Sequence, residues 1–318
     1  MENVSAVTSF ILTAYTELED HRYLYFILLL VLYVLILLVN SGLIVVICIE
    51  RGLHGPMYLF ICNLAVNGVY GSTSLLPPML GHLLSQNYEI SRTFCLLQIF
   101  CLHSHASVDL NVLAVMGYDR YVAICHPLHY HQLMSHRKVC TLIALSWSHA
   151  HILFGLFFIL TVQRTFCAAI IEKVFCANFE LVKLSCFETS FQNRVGFVVA
   201  FLVIVPQLLM ILFSYAQILR ICLFASKESQ AKAFQTCTPH LVAVINYSVG
   251  CFFEVTQSRF NMSHIPYKAR IFLSLYYLII PPLFNAIIYG ISIQAIRAHI
   301  VKLFSGMKNK LITRMIMK

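Results

Sequence analysis

Charge is what this sequence has least of. Asp, Glu, Lys and Arg make up 11% of its 318 residues, where soluble domains carry about 25%. Hydrophobic residues make up 59% and the mean hydropathy is +0.80. An ordinary soluble domain is therefore excluded. Six stretches, 23–49, 56–88, 139–163, 195–219, 233–253 and 271–296, contain no charged residue, and a seventh, 93–118, carries only Asp109. A helix needs about 20 apolar residues to cross a ~30 Å hydrocarbon core. The runs are too long and too uniformly apolar for barrel strands, which are shorter and alternate in polarity. Internal repeats and low-complexity tracts are absent, which argues against a solenoid or a repeat-built carrier. The first twenty residues lack a basic start and a sustained apolar core, so no cleavable signal peptide is expected and the first span serves as its own insertion signal. No nucleophile–base pair or metal-ligand cluster stands out, so neither an enzyme nor a cofactor is expected.

What charge there is lies unevenly. The expected spans are about 23–49, 56–84, 93–124, 138–162, 194–224, 232–255 and 270–291, so the termini fall on opposite sides. The C-terminal side holds thirteen of the 22 basic residues and three of the 13 acidic ones. The positive-inside rule makes that side cytoplasmic and residues 1–22 extracellular. The net charge of +9 is thus an orientation signal, and no nucleic-acid partner is needed to explain it. Asn3-Val4-Ser5 is an N-glycosylation sequon placed outside, as is Asn261-Met262-Ser263, whereas Asn246-Tyr247-Ser248 lies inside a span. After the last span, Ile293, Ile296, Ile300, Leu303, Phe304 and Met307 recur near helical spacing with Arg297 and Lys302 between them. Within 292–318 this reads as an amphipathic helix and tail on the inner leaflet.

The loop at 163–194 is long, and loops of that length usually carry a function or a staple. It holds Cys167, Cys176 and Cys186, with Cys95 opening the third span on the same side. Four cysteines facing an oxidising compartment allow three pairings. The other eight read as small buried thiols. His126, His129, His131 and His136 crowd one inner loop, where a solvated surface explains them better than a metal.

Four motifs carry a resemblance. "GPMYLFICNLA" opens the second span, "MGYDRYVAICHPLHY" closes the third, "KAFQTCTPHL" opens the sixth and "PPLFNAIIYG" ends the seventh. In order and position they resemble the signatures of olfactory receptors, a branch of the rhodopsin-like G-protein-coupled receptors. The wording of the second and seventh spans is closest to the aquatic-vertebrate members. The resemblance implies an all-α seven-transmembrane bundle at the plasma membrane, in cilia of olfactory neurons. It also implies a small-molecule odorant as ligand and a heterotrimeric G protein of the stimulatory type as partner, within membrane lipid. It further implies an activation switch of Asp119, Arg120, Tyr121, Tyr215, His240, Asn285 and Tyr289, with Asp119 holding Arg120 at rest. Disulfides Cys95–Cys176 and Cys167–Cys186 follow from the family pattern. So does a ligand pocket in the outer half, lined by His103, Ala106, Ser107, Leu110, Val199, Val203, Cys251, Val255 and Leu278.

The sequence departs from that pattern at three places. Gly68 stands where the family has an acid, leaving Asp109 as the remaining member of a two-carboxylate sodium site. A buried carboxylate must be paired, hydrogen-bonded or protonated, so Asp109 is expected to be neutral or bonded to Asn40 or Asn285. Ala286 replaces a proline near the end of the seventh span. Tyr247-Ser248-Val249-Gly250 replaces an aromatic stretch in the sixth. Glu254 could meet an amine ligand, but pairing with Arg259 or reaching to water is the simpler expectation. Rival readings are a receptor for an amine or peptide, or a seven-span ligand-gated channel or carrier. No acid near His103 could clamp an amine, and external glycosylation at Asn3 would exclude the inverted channel topology.

Overall fold

The computed structural model describes residues 7–259 and 264–299. Asn3, Asn261, the Arg259 side chain and the tail from Ile300 lie outside the described residues. Seven long helices form the bundle: α1 (Arg22–Ile49), α2 (Pro56–Ser85), α3 (Arg92–Cys125), α5 (His136–Val162), α7 (Ser190–Cys222), α8 (Lys227–Arg259) and α9 (Tyr267–Ser292). Between them lie two short helices, α4 (Tyr130–Leu133) and α6 (Asn178–Lys183). Six of the seven are long and apolar enough to cross a membrane; α8 is as long as α7 at 33 residues but more polar. α7 and α8 begin at Ser190 and Lys227, about a turn before the expected spans. α3 runs through the middle and packs on α2, α5, α7 and α8.

The distribution of side chains is the reverse of a soluble protein's. Asn40, Asn67, Ser72, Ser104, His105, Asp109 and Asn111 are buried, while Leu38, Leu156, Phe201, Leu212 and Phe252 are exposed. That is the arrangement a bilayer requires, since lipid accepts apolar side chains and gives polar groups no partner. Prolines inside α2, α7, α8 and α9 are tolerated in such helices because neighbouring groups re-satisfy the freed carbonyls. Beside the α9 prolines, the Asn40 amide ties α1 to α9, donating to Pro282 O at 3.1 Å as well as to Ile36 O.

One end of the bundle is capped. Strand β1 (Ser9–Leu12) lies between β2 (Glu89–Ser91), to which it is antiparallel, and β3 (Ile170–Ile171), to which it is parallel. The purely helical expectation did not include this sheet. Phe10, Leu12 and Tyr15 are fully buried beneath it, Phe10 against the edge of Phe166 and Tyr15 stacked on Tyr88. Tyr15 also donates to Val174 O at 2.8 Å. The loop is stapled twice, by Cys95–Cys176 to the start of α3 and by Cys167–Cys186 within itself. Gln98 locks the first staple by accepting from Cys176 N at 2.8 Å. At the open end, residues 294–299 are helical and Ile296 is fully buried, which is the described part of the expected amphipathic segment.

Candidate functional site

At the open end, Asp119 on α3 is fully buried and collects three donors. Arg120 Nε approaches one of its oxygens at 3.1 Å and the terminal Nη2 closes on the same oxygen. Tyr130 Oη donates to the second oxygen at 2.8 Å. Burial first, and then the Asp119 charge, push the Tyr130 phenol above its ordinary pKa, so it stays a donor. A buried carboxylate with both oxygens occupied is satisfied. Tyr130 was not among the expected switch residues, although it is the last letter of the quoted third-span motif. Tyr121 turns outward, its hydroxyl 3.0 Å from His126 Nε2 and its ring edge against Phe213.

A second junction sits deeper in the bundle. Tyr215 Oη on α7 is 2.6 Å from His240 Nδ1 on α8, and His240 Nε2 is 2.8 Å from Leu113 O on α3. Only a ring nitrogen that carries hydrogen can meet the carbonyl, so Nε2 donates and Nδ1 accepts from Tyr215. One imidazole thereby ties three helices. Tyr289 and Asn285 on α9 are buried beside this layer, and Tyr289 Oη and Asn285 Oδ1 have no hydrogen-bond partner among the described residues.

Asp109 has neither of its expected partners. Asn40 is spent on α1 and α9 carbonyls. Instead the Asn67 amide donates to Asp109 Oδ1 at 2.7 Å, and His105 Nε2 lies 3.7 Å from Oδ2. Asn67, the chain neighbour of Gly68, supplies the bond and was not among the expected partners. The carboxylate is thus met by an amide N–H and an imidazole, whereas a cation site is built from oxygen ligands. A Cβ at Gly68 would lie 3.3 Å from both Asn40 Oδ1 and Pro282 Cβ, so a side chain there requires these neighbours to give by a few tenths of an ångström. Gly71 is required by the same cluster, because a Cβ there would come within 2.4 Å of the His105 ring.

The residues expected to line a ligand pocket divide. Ser107, Leu110, Val203 and Leu278 are buried, and Ala106, Val199 and Cys251 are half-buried. His103 stacks on Phe154 of α5 at 4.5 Å with Nδ1 3.0 Å from Ile99 O. Ser107 Oγ donates to His103 O, and Ala106 O accepts from Tyr247. Val255 must be removed from the set. It is 52% exposed and continues the outward stripe of Val242, Ile245, Val249 and Phe252 on α8, because helical phase keeps those positions on one face. Glu254 pairs with Lys173 of the stapled loop at 2.5 Å; its expected partner Arg259 has its side chain outside the described residues. A cavity of about 780 Å³ between α2 and α3, bordered by Pro78, Phe94 and Leu97, contains none of the expected ligand residues.

The model of the family described as "Olfactory receptor" matches residues 29–307. The chain belongs to the olfactory receptor family. Human olfactory receptor 52K1 is 35% identical over 274 residues, covering 86% of this chain and 87% of that protein. Human olfactory receptor 2AT4 is 34% identical over 307 residues, covering 96% and 95%. The crystal structure of squid rhodopsin superposes with a TM-score of 0.72 at 17% identity, covering 91% of this chain and 87% of that one, and so shares the fold. As a family member the chain is a multi-pass membrane protein, and its departures at Gly68 and Ala286 sit inside an intact fold: α9 remains helical from Tyr267 through Ala286 to Ser292.

Proposed function

We propose that this olfactory receptor senses a small odorant between its helices, on the capped side, and passes the signal to a heterotrimeric G protein of the stimulatory type at the open end, raising cyclic AMP. Family membership supports the reading, and the closed Asp119–Arg120–Tyr130 junction carries it. That junction holds a permanent cation against a buried anion at the membrane edge, an arrangement that stores a charge for release. The His240 junction gives α8 a definite resting position against α3 and α7. Together they describe an inactive state in which Arg120 is engaged, with Tyr121, Asn285 and Tyr289 as the groups that re-pair when α8 moves. The capped end faces outward and the basic end inward. Of the expected pocket residues, His103, Ala106, Ser107, Leu110, Val199, Val203, Cys251 and Leu278 line the site, with His103 as its principal polar group. Cilia of olfactory neurons are the expected location.

The test is a cyclic-AMP reporter in cells exposed to pooled small volatiles, amino acids and bile acids. Arg120→Ala should abolish the evoked response with surface expression near wild type. A wild-type response in the variant would reduce Arg120 to an interfacial anchor.

A further inference from the structure

A polar cavity of about 210 Å³ lies at the capped end. Its walls are the loop segment from Glu172 to Phe175, Glu180 and Lys183 of α6, Gln257 of α8, and Tyr267, Arg270 and Ser274 at the start of α9. This is smaller than the roughly 300–1,000 Å³ of pockets for drug-sized ligands, so the occupant is small. Three cations line it. Lys183 is paired with Glu180 at 2.9 Å, and Lys173 with Glu254 at 2.5 Å. Arg270 has no carboxylate partner among the described residues. Its guanidinium lies over the Tyr267 ring at 4.9 Å, and its buried Nε has no hydrogen-bond partner among those residues. Tyr267 is itself fixed, donating to Glu172 O at 3.1 Å. The wall thus holds a planar, permanently charged fork with unfilled donor capacity, a geometry that matches a carboxylate.

We propose that this cavity binds a small organic monocarboxylate, with Arg270 as its counter-charge. The exposed Glu172 carboxylate on the rim selects against a second negative charge. The site is separate from the helix-lined odorant pocket, since none of that pocket's expected residues lines it. Binding does not depend on the receptor reading above; only its signalling consequence rests on it. That consequence follows from Ser274, one turn beyond Arg270. Its hydroxyl is 3.0 Å from Glu254, accepts from Lys173 at 3.1 Å and accepts from Gln257. An occupant at Arg270 therefore sits one helical turn from the point where the loop, α8 and α9 are joined.

The experiment uses full-length receptor purified into lipid nanodiscs, with hexanoate, adipate and hexan-1-ol as probes at constant ionic strength. Binding is read by saturation-transfer NMR and folding by thermal unfolding. Hexanoate should bind, with adipate and hexan-1-ol weaker. Arg270→Gln should weaken hexanoate about tenfold or more, the range expected for losing a charge-assisted pair, and Arg270→Lys should fall between. The proposal is overturned if folded wild-type receptor does not bind hexanoate, if hexan-1-ol binds equally, or if folded Arg270→Gln binds as wild type. Should Arg270→Gln fail to fold, folded Arg270→Lys decides, and hexanoate binding equal to wild type in that variant overturns the proposal. Failure of the receptor reading has a different signature: hexanoate binding persists while no ligand raises cyclic AMP.

Discussion

Tyr130 is the residue on which the resting state can be tested most cleanly. Its phenol is one of three donors to a carboxylate that has no access to water. Removing a hydrogen bond to a buried charged group costs roughly 1.5–3 kcal/mol, and that cost falls on the state in which Asp119 is enclosed. Tyr130→Phe keeps the ring and loses only the hydroxyl. It should raise ligand-independent cyclic AMP, by about tenfold in the ratio of active to inactive receptor, with normal surface expression. Unchanged basal signalling would mean that Arg120 alone holds Asp119. A second residue-scale prediction concerns the packing of α2 on α3. Gly71→Ala drives a methyl into the His105 ring, and because His105 is held between Asn67 O at 3.0 Å and Asp109 the ring has nowhere to go. Overpacking of this kind costs about 1–3 kcal/mol, so surface expression should drop sharply. Gly81→Ala, on the same helix with nothing within 4 Å of the added methyl, should be neutral or mildly stabilising. Equal behaviour of the two variants, measured by surface immunolabelling, would remove the His105 cluster as the reason for Gly71.

At the scale of elements, the sequence reveals what lipid dictates and conceals what the loops arrange. Seven apolar stretches are legible because each helix must satisfy its own backbone in hydrocarbon, and that demand writes itself over twenty or more consecutive residues. Helical phase on α3 likewise placed Ser107 and Leu110 inward. It could not place Val255, near the end of a more polar helix where the outward stripe still runs. The β1 strand was hidden for a different reason. Four residues, Ser9-Phe10-Ile11-Leu12, carry little signal, and the partners of β1 lie about 80 and 160 residues further along the chain. Only the alternation of buried Phe10 and Leu12 with exposed Ile11 hints at it. The strand nevertheless supports the cap. Phe10→Ala should destabilise the receptor by about 3–5 kcal/mol, as large-to-small changes in a packed core do, and lower its surface level. Ile11→Ala, at a position 47% exposed, should have little effect. If both variants reach the surface equally, the strand is dispensable to the fold.

At the scale of the whole molecule, the direction in which the bundle sits in the membrane follows from charge, and it can be tested without any ligand. Seven crossings put the two termini on opposite sides. The open end gathers Arg51, Arg120, Arg137, Lys138, Arg220, Lys227 and Lys232, and basic residues close to span ends are retained on the cytoplasmic side. The capped end carries both disulfides, and bonds of that kind persist in oxidising compartments. The two arguments use different residues and different physics, yet they give the same orientation. That orientation predicts glycan on Asn3 and none on Asn246, which lies in the middle of α8 bonded to Tyr276 at 2.5 Å. Glycosidase treatment should increase the electrophoretic mobility of the wild type, with at least part of the shift lost in Asn3→Gln and none lost in Asn246→Gln. Leu128, 94% exposed in the turn after α3, supplies the complementary probe. A cysteine introduced by Leu128→Cys should react with a membrane-impermeant maleimide only after the cells are permeabilised, judged against the wild-type background. Labelling in intact cells together with an unglycosylated Asn3 would invert the receptor, and with it the assignment of the capped end to the odorant and the open end to the G protein.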